Sequence, residues 1–248
     1  MSIVEFRDAG IKMPRKRRRK GGGRRQRIRR LAGEVQRDEV WRVRHLTASV
    51  TPGEAVALVG LRGAGQQAIL RLAAGTLRPD EGSVTRSTTI IPMIEIAKAM
   101  SRTLSLRQNI YLIAGLYGMS SDEVQDKLGS IVEFAGLQQV LDRYLQNVPF
   151  VVRQRLAWST AMAVDARAYA IDQLLVVGDR DFRQECWSRL DRMREDGVTF
   201  LINSDSPKQY TRFCDRAWYL VEGELVADTD VDDALTRVRA ARKAALEP

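Results

Sequence analysis

Between an apolar run and a helical one, residues 60–67 of this chain read GLRGAGQQ. The run before it, residues 54–59 (EAVALV), is short and continuous, as a buried strand requires. The run after it, residues 68–74 (AILRLAA), carries apolar side chains at helical spacing. In such a strand–turn–helix, Gly60, Gly63 and Gly65 let consecutive backbone N–H groups face an anion at a helix N-terminus. A nucleotide loop then adds a Lys for the β- and γ-phosphates and a Ser or Thr hydroxyl for Mg²⁺. Those two positions here are Gln66 and Gln67. Residues 60–67 alone support two readings equally. One is a phosphate loop without its two chemical side chains, and the other is a tight turn with no ligand.

The flanking pattern is α/β. Residues 3–6 (IVEF) read as an edge strand, and residues 40–50 alternate in part as a second strand. Residues 83–92 give one or two short strands. Residues 93 to about 165 form a helical block, with helices over 106–117, 121–135 and 153–164. The second of these opens on Ser121-Asp-Glu, a capping signal. Strands resume at 169–172 and 198–202, with a helix over 180–195 between them. Residues 217–221 and 224–227 flank Glu222-Gly223 as a hairpin, and 230–246 is a terminal helix. No internal repeat is visible.

Charge is confined to one segment. The 248 residues hold 40 Lys and Arg against 31 Asp and Glu, and residues 15–30 (RKRRRKGGGRRQRIRR) supply 11 of the basic ones with no acid. Without that run the body is nearly neutral, so the net charge of +9 does not imply a basic groove on the fold. Residues 1–38 thus read as an edge strand plus a basic, flexible insert, and 39–248 as the folded domain. Two cysteines, Cys186 and Cys214, and one histidine, His45, exclude a disulfide scaffold and a zinc site built from Cys and His clusters. Both thiols are expected to be inert and buried, and His45 structural. No apolar run approaches the ~20 residues of a membrane helix, and no secretory leader is read.

From about residue 39 to 230 the chain resembles the ATP-binding subunits of ABC transporters, in particular those of polysaccharide, O-antigen and teichoic-acid exporters. The resemblance is carried by TPGE at 51–54, LRPDEG at 77–82 and LSLRQNIYLIAGLYG at 104–118. It continues through IDQLLVVGDRDFRQEC at 171–186, FCDR at 213–216 and LVEG at 220–223. It implies a P-loop NTPase fold of RecA-like type. This is the ABC nucleotide-binding domain, with a helical subdomain and a small antiparallel β region. It also implies ATP with Mg²⁺, a transmembrane permease of the ABC-2 type, a second nucleotide-binding subunit, and a peripheral place on the cytoplasmic face of the membrane.

Carried over by position, the resemblance places nucleotide on Gly60, Gly63, Ala64, Gly65, Gln66, Gln67 and Ala68. Trp41 would stack on adenine, unless it is a plain core tryptophan. Asp172 matches the Walker B aspartate that holds Mg²⁺ through water. Gln173 stands for the catalytic Glu and Ser204 for the switch His, so no catalytic residue is assigned. Pro149, Phe150 and Val151 replace a signature segment that has Ser and Gly. Glu95 falls in the Q-loop region, and Asp179 matches the D-loop aspartate or is a plain helix-start residue. Losing the loop Lys and the metal hydroxyl implies ~10²-fold weaker nucleotide, at ~1.5–3 kcal/mol per charged hydrogen bond. Losing the general base implies ~10²–10⁴-fold slower hydrolysis.

The leading expectation is a degenerate cassette subunit that couples or regulates a permease, in a homodimer or with an intact partner subunit. One alternative is a working ATPase in which Gln66 donates to phosphate and Gln67 offers its carbonyl to Mg²⁺. Another is a binding protein that turns residues 15–30 on nucleic acid. For those residues an inert insert is the first reading, an anionic-lipid patch the second and nucleic acid the last, because the run has no aromatic side chain.

Overall fold

The computed structural model describes residues 1–14, 39–173 and 178–245. The expected basic insert and the end of the expected terminal helix lie outside them. Strands β1 (Val4–Pro14), β2 (Glu39–Val50) and β4 (Glu81–Arg86) form an antiparallel sheet in the order β2-β1-β4. A larger sheet is built from β3 (Ala55–Gly60), β5 (Ile90–Met93), β6 (Ala168–Asp172), β7 (Thr199–Asn203), β8 (Arg216–Val221) and β9 (Glu224–Thr229). Its order is β5-β6-β7-β3-β8-β9, parallel except for the β8–β9 hairpin.

The helices are α1 (Gln66–Ala73), α2 (Leu106–Leu116), α3 (Ser121–Ala135) and α4 (Phe150–Met162), followed by α5 (Arg180–Glu195), α6 (Pro207–Phe213) and α7 (Val231–Ala244). No described helix is long and apolar enough to cross a membrane.

The central strands are apolar on both faces because both faces are covered. Ala55, Ala57 and Val59 of β3 enter a core shared with Leu106, Leu128, Leu156, Phe182, Phe213 and Leu235 from α2 to α7. Val56 and Leu58, on the opposite face, pack with Ile69, Leu70 and Leu72 of α1 and with Phe6 and Leu46 of the small sheet. The larger sheet is therefore clad in helices on one side. On the other it carries α1 and the antiparallel sheet.

The structure departs from expectation at four points. Residues 3–6 are not on an edge, because β1 pairs with β2 on one side and β4 on the other. That second partner lies some 80 residues on and is mostly exposed, so local alternation gave no sign of it. The cap of α3 is Ser120, which accepts from the Glu123 amide while the Glu123 carboxylate accepts from the Ser120 amide. Helix α4 begins at Phe150, one turn earlier than its apolar spacing indicated, and α6 was not foreseen at all.

Arg216 ties the sheets together. Its guanidinium donates to Ser49 O at 2.6 Å at the end of β2 and to Glu54 Oε2 at 3.0 Å. It also pairs with Asp228 of β9, whose carboxylate accepts from Trp218 Nε1 at 3.1 Å. Replacing Arg216 with Met is expected to cost about 2–3 kcal/mol, less than the sum of its bonds because the side chain is partly solvated. A urea unfolding midpoint measures it; an unchanged midpoint would show that the pairings are ornamental.

Candidate functional site

The glycine loop, Asp172–Gln173 and Asn203–Ser204 lie at the carboxyl ends of β3, β6 and β7, which are neighbours in the sheet. Open α/β sheets present ligands at that edge. Gly63 and Gly65 have φ of +94° and +103°. Ala64 N donates to Leu61 O at 3.0 Å, closing the turn, and Ile69 N is the first amide of α1 with a carbonyl partner, Gly65 O at 3.0 Å. Among the described residues, the amides of Gly65, Gln66, Gln67 and Ala68 have no backbone acceptor. These four N–H groups, at the positive end of α1, are a cradle suited to phosphate oxygens.

Gly65 is fixed by its surroundings as well as by φ. A β-carbon there would lie 2.5 Å from Arg42 O. The same carbonyl would meet a β-carbon on Gly223 at 2.7 Å, and Arg44 N donates to Gly223 O at 3.0 Å. Strand β2 thus runs directly against the loop. Trp41, the residue before Arg42, is half-buried, with the Lys12 ammonium 4.4 Å and the Arg44 guanidinium 4.8 Å from its ring centroid. Its ring lies in neither hydrophobic core; it is engaged by cations.

The two glutamines take different roles. Gln66 is buried and folds back to donate to Leu61 O at 3.2 Å, inside its own loop. Gln67 reaches across to β6, where its Nε2 donates to Asp172 Oδ2 at 2.8 Å. Asn203, the register partner of Asp172 on β7, donates from Nδ2 to Asp172 Oδ1 at 2.7 Å. A carboxylate can only accept, so the N–H end of each amide faces it and the carbonyl end cannot. Mg²⁺ sites are built from oxygen ligands in near-ideal octahedral array. Two amide donors, one on each oxygen of Asp172, do not fit that donor set. Asp172 alone among these groups is chemically suited to the metal expected there.

Gln173 follows at φ +62°, its amide donating to Asn203 O at 2.9 Å. Ser204 is buried; its hydroxyl bonds Gln209 and its amide donates to the Tyr210 hydroxyl at 2.7 Å. Tyr210 in turn donates to Leu58 O at 2.9 Å, and burial raises its pKa above that of a free tyrosine. Neither Gln173 nor the engaged Ser204 offers a base to a water molecule.

Phe150 and Val151 open α4 with 63% and 40% of their surface exposed, and Pro149 caps the helix without a side-chain bond. Asp179 caps α5 by accepting from Phe182 N at 3.0 Å and pairs with Arg155 of α4. Those two partners, the Phe182 amide first, hold its carboxyl below the usual range. Glu95, at φ +50°, pairs with Arg71 of α1 at 3.3 Å and with Lys98. His45 is bonded to Asp8 Oδ1 at 2.8 Å. Cys186 is buried and Cys214 half-buried, and burial pushes both thiols up to about 12.

Sequence reasoning missed Asn203 and Tyr210. The one available signal was position: Asn203 directly precedes Ser204 at the end of a buried strand.

Comparison with known proteins bears on this arrangement. The ABC transporter family model matches residues 43–175. The chain is 32% identical over 184 residues to the ABC transporter protein AbcA of Aeromonas salmonicida, covering 74% of this chain and 60% of that one. It is 33% identical to the O-antigen export system ATP-binding protein RfbB of Klebsiella pneumoniae, covering 72% of each. It is 31% identical to the polysialic acid transport ATP-binding protein KpsT of Escherichia coli, covering 69% of this chain and 76% of that one. The fold is similar to that of a dimeric ATP-binding cassette bound to ADP and Pi, at a TM-score of 0.71 and 16% identity over 92% of this chain and 98% of the other. It is equally similar to the ATP-binding subunit of an ABC transporter, at 0.72 and 20% over 96% and 95%.

Gly65→Ala tests the contact between β2 and the loop. With φ at +103° and Arg42 O at 2.5 Å, the change is expected to cost roughly 2–3 kcal/mol. Thermal unfolding of the variant at the wild-type midpoint would show that the loop and β2 separate freely.

Proposed function

The chain belongs to the ABC transporter family, and from that premise we propose that it is the ATP-binding subunit of a polysaccharide-type exporter whose own nucleotide site is degenerate. It couples or regulates a membrane permease of the ABC-2 type and hydrolyses ATP weakly or not at all. The observation that carries this reading is the place where water would be activated. Gln173 is an amide there, and the hydroxyl of Ser204 is spent on Gln209. An amide does not take a proton from water, and loss of a general base costs ~10²–10⁴-fold in rate.

Binding is weakened rather than abolished on this reading. The free amides of Gly65 to Ala68 remain for the β-phosphate, with Gly60, Gly63 and Ala64 shaping the turn. Gln66 is a neutral donor in place of an ammonium. Trp41 keeps an aromatic surface beside the loop, already occupied by Lys12 and Arg44. Bound ATP would contribute its own polyphosphate charge, which this chain meets with backbone dipoles and with the exposed Arg62 of the loop itself. Phe150 and Val151 present apolar bulk where a second subunit's nucleotide would rest. A homodimer therefore has two poor sites, and turnover requires an intact partner subunit. Residues 15–30 add an anionic-lipid contact at the cytoplasmic membrane face, at about 1 kcal/mol per basic residue near the surface.

Titration of the purified chain with ATP and Mg²⁺, beside Gln66→Lys/Gln67→Ser, tests the reading. The variant is expected to bind at least ~10²-fold more tightly, since it regains two charged or metal-linked hydrogen bonds. Neither chain is expected to turn ATP over, because Gln173 is unchanged. Robust hydrolysis by wild type alone, lost on Asp172→Asn, would refute degeneracy.

A further inference from the structure

Asp172 is the best-placed metal ligand in the site, yet the structure spends it on two amides. Gln67 Nε2 lies 2.8 Å from one carboxylate oxygen and Asn203 Nδ2 lies 2.7 Å from the other. Each donor is held by a different part of the fold. Gln67 sits in the first turn of α1. Asn203 is fixed beside Asp172 by the parallel register of β6 and β7. The main chain of Asn203 is held at the end of β7, where its backbone oxygen accepts from Gln173 N at 2.9 Å.

A divalent cation between Asp172 and a phosphate would have to approach through these N–H groups, whose protons repel it. Beyond Asp172 its ligands would have to be water and phosphate oxygens. Gln66 is turned inward to Leu61 O, and the Ser204 hydroxyl is bonded to Gln209. Meanwhile the amides perform a task that a metal site performs elsewhere. They join the carboxylate at the end of one strand to the helix that carries the phosphate cradle.

We infer that Gln67 and Asn203 form an amide clamp on Asp172 that stands in for the divalent cation, so that the loop binds the polyphosphate of a nucleotide independently of metal. This rests on the reading of residues 60–67 as a phosphate loop. On this inference the phosphates are held by backbone N–H groups and the α1 dipole, and the clamp keeps Asp172 from turning toward them. Freeing the carboxylate while supplying a hydroxyl, as in Gln67→Ser/Asn203→Ala, restores a place for the cation.

The test is ATP binding to the full chain by calorimetry, with Mg²⁺ and with EDTA. It is paired with the electron paramagnetic resonance of Mn²⁺ in the presence of ATP. Wild-type affinity is expected to agree within about twofold between the two buffers, while the double variant binds at least about tenfold better with Mg²⁺. Mn²⁺ is expected to gain a protein-bound signal, beyond that of Mn²⁺–ATP, only with the variant. Asn203→Ala alone, which leaves Gln67 in place, serves as a second variant if the double one does not fold. Its Mg²⁺ dependence is expected to lie between the other two.

A wild-type affinity that drops about tenfold or more in EDTA overturns the inference and leaves the phosphate loop standing. So does wild-type silence in both buffers while Gln66→Lys/Gln67→Ser binds. Silence of that variant as well overturns the phosphate loop itself, and the clamp's proposed role with it.

Discussion

The carbonyl of Arg42 is where the two sheets of this protein meet its glycine loop. A β-carbon at Gly65 would stand 2.5 Å from it and one at Gly223 would stand 2.7 Å from it. The loop, the β8–β9 hairpin and β2 are therefore locked at one point by the absence of side chains. The adjoining Arg44 N to Gly223 O bond sets the register of that contact. From there the rest follows. With β2 held against the loop, Leu46 and Phe6 cover the α1 face of the large sheet. With the loop held, α1 starts at Gln66 and presents its free amides at the carboxyl edge of β3, β6 and β7.

The polar groups behind the loop form a second, chemically different layer. Asp172, Asn203 and Gln67 share one set of hydrogen bonds. Ser204, Tyr210 and Leu58 share another, and Asn203 and Ser204 are adjacent in the chain. Each buried donor in this layer that the structure describes has its acceptor, so the layer is stabilising without a ligand. The donors are neutral amides and hydroxyls, and the Asp172 carboxylate among them is met by two amide N–H groups. The architecture of a phosphate site and its charge chemistry are thus separable on the proposed reading: the backbone forms the cradle, and the Gln66, Gln67 and Asn203 side chains bond to the fold.

The sequence made the centre of this arrangement readable and left its partners dark. Residues 54–74 could be read because strand, turn and helix are contiguous, and their patterns switch from continuous to helical within one window. Asp172 and Ser204 could be placed because their segments resemble those of ABC ATP-binding subunits. By contrast, the Asp172–Asn203 pair depends on the register of two parallel strands about 30 residues apart, which no local pattern encodes. The same reason hid the central position of β1, whose second partner is a polar strand far along the chain. Helix α6 is only 7 residues long, shorter than the window over which periodicity can be counted. Phe150 was legible as an oddity but not as a helix start, since Pro149 before it supplies no capping side chain.

The amide layer has a further physical consequence for any anion that enters the loop. Asp172 is tied through Gln67 to the first turn of α1, so its negative charge and the incoming phosphate share one helix N-terminus. The favourable dipole of a single helix end falls off within a turn, and it is divided between them. A lysine and a cation would offset that competition with full positive charges. Gln66, folded onto Leu61 O with one of its two N–H donors, offers no charge. On the proposed reading, anion binding to this loop is weaker than the cradle geometry alone would give, for reasons of electrostatics and not of shape. That is the physical form of degeneracy proposed for this chain: a site whose backbone remains complementary to phosphate, while Arg62 is the one cationic side chain that the loop itself brings to the phosphate charge.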